Sequence, residues 1–279
     1  MHLGLIGVGF IGKLFVDAVA ETEHRLTAYD VDPDQTAYAV EGGAEAAEDP
    51  AAVGGAVDTV VMALPGAPES RSVVYEEGLL DALSAGDTVI DATTTGPDAA
   101  TEHAEACAGR DVRFLTAPLT RGAADPGIHM MVGGTEADYG AATPVLDVLS
   151  AAHARIGSPA DAQTFKLMIQ LKYAAQAAVD AEVVAFGEDN GLDPELMNEF
   201  LGLGVDERYF TGEFSQAIEG LGGLRIWHKD TGYALDLASE TGTATPLSNA
   251  VHEAYKAAVR RGGGGHAASI VRYWRRLNG

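Results

Sequence analysis

Short apolar runs recur through the first half of the chain, at His2–Ile6, Arg25–Tyr29, Thr59–Ala63, Thr88–Asp91, Arg113–Ala117 and His129–Val132. Several lack polar alternation, as expected of parallel strands covered on both faces. Helical stretches separate them, and strand followed by helix, repeated, predicts a doubly wound α/β sheet. Glycine and proline mark the joints at Gly42-Gly43, Pro65-Gly66, Gly96-Pro97 and Gly133-Gly134.

Beyond GSPADAQ (Gly157–Gln163) the rhythm changes. The run from Asp161 to about Asn190 has no proline and no glycine before Gly187, and is rich in alanine, leucine and glutamine, all compatible with helix. Gly191 suits its C-cap and Pro194 opens the next helix. The remainder reads as helices joined by glycine turns, with Gly262–Gly265 as a mobile turn. The predicted organisation is a Rossmann-type domain over 1–158 followed by an all-α domain over 159–279.

Composition narrows the classes. The 279 residues are 47% hydrophobic, which fits a globular chain with a substantial core. No apolar run approaches the roughly 18 residues of a membrane span. The opening LGLIGVGF has no basic flank and no small-residue cleavage site, so it does not read as a signal peptide and the cytoplasm is the expected location. Cys107 is the single cysteine, which excludes an internal disulfide and a cysteine metal cluster. The eight histidines do not fall at ligand spacing, and no metal is expected. A net charge of −23, from 41 acids against 18 bases, argues against nucleic acid and anionic membranes as partners. Such acidity is either a solvated face or adaptation to high salt, and the balance favours salt adaptation.

Chemistry enters at Gly7-Val8-Gly9-Phe10-Ile11-Gly12, which directly follows the first strand and leads into a helix predicted over Lys13–Glu21. Gly7 permits the tight turn, Gly9 lets the backbone approach a pyrophosphate, and Gly12 allows close helix–strand packing. The helix N-terminus then faces the phosphates. Asp30 ends the second strand, with Asp32 and Asp34 following and no arginine nearby. An acid there accepts hydrogen bonds from the ribose hydroxyls of NAD and repels the extra phosphate of NADP, so NAD is expected over NADP.

Two further segments stand out. Lys166 and Gln170 lie one turn apart in a helix where most positions are apolar, with Tyr173 a further turn along. A lysine on such a helix has a partner or a purpose, or else snorkels to the rim. The loop APLTRGAADPG (Ala117–Gly127) carries one arginine, Arg121, among small residues, and reads as a surface turn or as a cradle for an anion.

GVGFIG (7–12), ALP (63–65), DATTTGP (91–97), APLTRGAADPGIHMMVGG (117–134) and the helix bearing Lys166, followed by HKD (228–230), together resemble the β-hydroxyacid dehydrogenases. That is the family of 3-hydroxyisobutyrate dehydrogenase and tartronate semialdehyde reductase. The resemblance spans nearly the whole chain and implies that Lys166 is the catalytic residue. It implies that Phe10, Ile11, Leu64, Pro65 and Thr94 line the cofactor, and that Lys229 lies near cofactor and substrate. Gln170 stands where the family's substrate-orienting asparagine does, keeping the amide on a longer arm. Ala162 replaces a usual glycine, and no role carries over to His266.

The family's substrate loop reads Ser-Gly-Gly; here it reads Thr120-Arg121-Gly122. Thr120 keeps the hydroxyl, Gly122 keeps one flexible backbone donor, and Arg121 adds a planar fork suited to carboxylate, sulfonate or phosphate. The resemblance thus favours the cradle and implies a small anionic substrate, a 3-hydroxy acid or its semialdehyde. A sulfolactaldehyde reductase or dihydroxypropanesulfonate dehydrogenase, with Arg121 on the sulfonate, is the alternative reaction. A catalytically silent NAD-binding sensor or scaffold is the alternative of another class. The apolar second half implies a homodimer or homotetramer.

Overall fold

The computed structural model describes residues 1–121, 127–201, 224–261 and 270–278. Gly122 and the Gly262–Gly265 turn lie outside the described residues. Contacts divide the chain into two units, Met1–Lys166 and Leu167–Gly279.

In the first unit, β1 (His2–Ile6), β2 (Arg25–Tyr29), β3 (Glu45–Ala46), β4 (Thr59–Met62), β5 (Thr88–Asp91) and β6 (Arg113–Thr116) form a parallel array in the order β3-β2-β1-β4-β5-β6. Leu5 pairs with Ala28 on one side and Val61 on the other. This order reverses direction between β1 and β4, and open α/β sheets bind ligands beyond the carboxyl ends of their strands at such a switch point. β8 (Ile128–Gly133) runs antiparallel to β6 and to β7 (Leu119–Arg121), and parallel to β9 (Ala152–Gly157).

The six runs anticipated from the sequence are β1, β2, β4, β5, β6 and β8, with ends shifted by at most one residue. β3, β7 and β9 carry no such signal. β3 is only two residues long and exposed, β7 is only three residues long with Leu119 and Thr120 half-buried, and β9 alternates alanine with His153 and Arg155 at the sheet margin. A margin strand need not bury a continuous apolar run.

Successive residues of a strand face opposite sides, which builds two cores. Leu3, Leu5, Val61, Ile90 and Leu115 pack with Phe15 and Val16 of α1 (Phe10–Ala20) and Leu146 of α7 (Glu136–Leu149). Ile6, Val60, Met62, Val89 and Phe114 pack on the other face with Val53, Leu79 and Cys107. Five further helices complete the layers: α2 (Pro33–Glu41), α3 (Pro50–Ala56), α4 (Ala67–Arg71), α5 (Leu79–Ala82) and α6 (Pro97–Ala108). Each fully buried leucine or isoleucine contributes about 1.5–3 kcal/mol.

α8 (Pro159–Asp189) continues from the first unit into the second. Along it, Gln163, Lys166, Leu167, Gln170, Ala174, Ala178, Ala181 and Ala185 form a buried stripe at helical spacing. The second unit adds α9 (Pro194–Leu201), α10 (Leu224–Thr241), α11 (Pro246–Arg260) and α12 (Ile270–Asn278). Its core joins Ala174, Ala178 and Val184 to Leu224, Tyr255 and Ile270. The buried Tyr255 hydroxyl donates to the Ala174 carbonyl at 3.1 Å. Gly191, at φ +73°, turns the chain after α8 as expected of a C-terminal glycine. Among the described residues no helix is long and apolar enough to cross a membrane.

Candidate active site

The glycine-rich turn follows β1 at the switch point. Gly7 sits at φ +93°, and a Cβ there would lie 2.4 Å from the Ala63 carbonyl oxygen. A Cβ at Gly12 would lie 2.1 Å from the Gly7 carbonyl oxygen. These two glycines are required by packing within the chain. Gly9 is not: a Cβ there meets nothing within 4 Å. The helix begins at Phe10 rather than Lys13, because Gly9 is its N-cap and its carbonyl already accepts the Lys13 N–H at 2.9 Å. No side chain caps α1 and no acid stands in its first turn, where Phe10 and Ile11 are half-buried. Its first N–H groups are therefore left for a ligand of negative charge.

Asp30, at the end of β2, accepts the Val8 N–H on Oδ2 at 2.7 Å and the Asp32 N–H on Oδ1 at 2.9 Å. Each carboxylate oxygen retains a further acceptor site, which suits a ribose hydroxyl. An unoccluded glycine, an uncapped helix start and a strand-end carboxylate are the donor and acceptor set of a dinucleotide.

The loops after β4 and β5 are stitched together from below. The Leu64 N–H donates to Thr93 Oγ1 at 3.1 Å, beside exposed Pro65, and Thr94 is half-buried next to it. The Asp91 carboxylate accepts the Thr93 N–H at 2.9 Å and the Ser70 hydroxyl at 3.0 Å. Ser70 lies 3.0 Å from His103 Nε2, and Tyr75 lies 2.9 Å from Nδ1. Since Ser70 donates to Asp91, its oxygen accepts from His103, which places the ring proton on Nε2 and makes Nδ1 the acceptor for Tyr75. Burial holds His103 down at about 4 and raises Tyr75 to about 12, so both are neutral at physiological pH.

Lys166 is 8% exposed, and its Nζ donates to the Leu119 carbonyl at 2.8 Å. Leu119 precedes Thr120 in β7, where Thr120 pairs with His129 and the Arg121 backbone with Ile128. Gly7, Asp30, Leu64 and Thr94 thus stand just beyond the carboxyl ends of β1, β2, β4 and β5, and Lys166 holds the segment that leads to Thr120. Gln163, which no sequence motif singled out, is wholly buried and bonds both the Thr93–Gly96 loop and Thr116.

In the second unit, Gln170 Nε2 donates to Oδ2 of the buried Asp230. Lys229 Nζ lies 2.9 Å from Oδ1 of the same carboxylate, as an ion pair without hydrogen-bond alignment. One carboxylate therefore holds both predicted residues, and the acid of His-Lys-Asp was the signal for it. Tyr173 departs from the expected alignment: it is exposed and off the buried stripe. Three residues separate it from Gln170, about 60° short of a full 3.6-residue turn, which points it away from the stripe. His228 stacks on His252 with ring centroids 4.7 Å apart, and burial lowers both below the usual imidazole range. Among the described residues no group of three or more potential metal ligands converges.

Residues 2–157 match the family model of the NAD binding domain of 6-phosphogluconate dehydrogenase, and residues 160–274 match that of NADP-dependent 3-hydroxyisobutyrate dehydrogenase. The chain belongs to the β-hydroxyacid dehydrogenase family. It is 26% identical to 2-(hydroxymethyl)glutarate dehydrogenase of Eubacterium barkeri, over 100% of this chain and 96% of that protein. The structure of 3-hydroxyisobutyrate dehydrogenase from Salmonella typhimurium superposes with a TM-score of 0.87 at 23% identity, covering 98% of this chain and 99% of that one. Psf3 in complex with NADP+ and 2-OPP superposes at 0.83 with 20% identity, covering 97% and 99%. As a member of this family the protein is an oxidoreductase with a nicotinamide cofactor. The silent-sensor and sulfonate readings gain no support from these relatives.

Proposed function

We propose that the protein interconverts a small 3-hydroxy acid and its semialdehyde with NAD, using Lys166 as general acid/base. The observation that carries this reading is the nearly complete burial of Lys166, with its amine fixed on the Leu119 carbonyl one residue before Thr120. An amine taken out of water needs a partner, and the Leu119 carbonyl that supplies one sets the amine beside the expected substrate segment. The bound nicotinamide supplies the hydride in reduction and accepts it in oxidation. During reduction Lys166 gives a proton to the nascent alkoxide oxygen; during oxidation it takes the hydroxyl proton. The Thr120 hydroxyl, the Arg121 guanidinium and the Gly122 N–H take the substrate's carboxylate. Gln170 orients the substrate, and Lys229 serves the cofactor side.

The strand-end acids Asp30, Asp32 and Asp34 support NAD over NADP, since a 2′-phosphate would add negative charge beside them. In our reading residues 1–158 bind the cofactor, and 159–279 serve substrate binding and self-association in the cytoplasm. Phe165, Met168, Val179, Val183 and Phe186 of α8 are exposed, with Phe186 at 68%, an apolar set that a homodimer or homotetramer would cover.

The test is oxidation of NADH and NADPH against a panel of semialdehydes, carboxylates beside sulfonates. Turnover of a carboxylate semialdehyde with NADH is expected. Lys166→Ala should lower kcat by about 10²–10⁴-fold with NADH binding retained. Turnover retained in that variant would reject the assignment.

A further inference from the structure

We infer that Gln163 is a positioning residue for the reaction: it sets Lys166 against the cofactor loop and the base of the substrate segment. This rests on Lys166 being the acid/base, and the test separates the two.

Gln163 has no exposed surface and stands three residues before Lys166 on the same buried stripe of α8. Its amide makes four bonds, all within the first unit. Nε2 donates to the Thr93 carbonyl at 2.9 Å and to Thr116 Oγ1 at 2.7 Å. Oε1 accepts the N–H groups of Thr95 at 3.2 Å and Gly96 at 3.3 Å. The orientation is unambiguous, since a flipped amide would set its NH₂ against two N–H donors and its oxygen against a carbonyl. Thr116 passes the contact on, donating to the Asp91 carbonyl at 3.4 Å.

The partners matter more than their number. Thr93, Thr95 and Gly96 flank Thr94 in the loop after β5, and Thr93 also holds Leu64. Thr116 ends β6, three residues before Leu119, which accepts the Lys166 amine. One side chain therefore joins the segment expected to hold the cofactor, the strand feeding the substrate segment, and the turn of helix that carries the acid/base. A proton donor must sit within hydrogen-bond reach of its oxygen, and a displacement of about 1 Å can cost about 100-fold in rate. A helix merely anchored for stability needs only apolar burial there, as at the adjacent Ala162, and not a side chain with four directed bonds.

Two variants test this beside Lys166→Ala. Gln163→Met keeps the length and removes all four bonds; in folded enzyme it should lower kcat about 100-fold, with the KM for semialdehyde within about threefold, and shift the pH limb of kcat that Lys166→Ala abolishes. In Gln163→Glu the carboxylate faces the Thr93 carbonyl, so kcat should recover as pH falls and the acid becomes a donor again, while near-ultraviolet dichroism stays native. Wild-type kcat and pH profile in folded Gln163→Met would overturn the inference. So would failure of both variants to fold, since the side chain would then serve the fold alone. If Lys166→Ala keeps its turnover, it is the acid/base reading that fails; if it is dead while Gln163→Met is wild-type, only this inference falls.

Discussion

The Asp30 carboxylate accepts the N–H of Val8 at 2.7 Å, which ties the end of β2 to the middle of the glycine-rich turn. The residue expected to read the ribose is thereby held in place by the turn expected to hold the pyrophosphate. Asp30→Asn keeps an acceptor for Val8 and removes the charge. It should raise the ratio of kcat/KM with NADPH to that with NADH by about tenfold, equivalent to about 1.4 kcal/mol. Steady-state kinetics with both cofactors decide it; an unchanged ratio would show that Asp30 does not set the preference.

Two glycines of one turn should behave oppositely. Gly12→Ala forces a methyl group to 2.1 Å from the Gly7 carbonyl oxygen, and backbone cannot rotate aside as a side chain can. Its cost should be about 1–3 kcal/mol in denaturant unfolding. Gly9→Ala meets nothing in the chain, so its stability should stay within about 0.5 kcal/mol of the original while NADH binding weakens. Unimpaired binding in Gly9→Ala would remove the pyrophosphate from that position.

His103 makes stability depend on pH in a defined direction. Its folded value is lowered to about 4, against 6.5 for a free imidazole. Between those values the unfolded chain binds a proton that the fold refuses, so stability is complete above about pH 6.5 and is lost as pH falls toward about 4. The full loss is on the order of 3 kcal/mol. His228 and His252 are lowered too and act in the same sense. Urea midpoints at pH 7 and pH 5 should therefore differ more for the original protein than for His103→Asn. Equal differences would place the proton uptake elsewhere.

A net charge of −23 repels itself over distances that salt shortens, from about 10 Å at 0.1 M to about 3 Å at 1 M. The melting temperature should rise across that range of KCl. A maximum in dilute buffer would end the interpretation as adaptation to salt.

The parallel core was legible because its strands are covered on both faces and must be apolar throughout. β3, β7 and β9 were not, since two- or three-residue strands and margin strands leave no such run. The glycine turn could be read because glycine is the residue that backbone approach demands. Lys166 could be read because a charge among apolar neighbours is anomalous. Gln163, in contrast, looks like any polar helix residue until its four partners are seen, the farthest 70 residues away. Asp91, Ser70 and His103 are likewise ordinary in sequence; Ser70 is 21 residues from one and 33 from the other.

Order and local chemistry thus belonged to the amino-acid sequence: where strands alternate with helices, which turn is built of glycines, which amine is out of place. These follow from hydrophobic periodicity and backbone sterics, which act over a few residues. Only the tertiary structure decided which buried polar groups answer one another, that Lys166 rests on Leu119 and that Gln170 and Lys229 share Asp230. Such pairings arise because a polar group shut away from water must find a partner wherever the fold supplies one, at any distance along the chain.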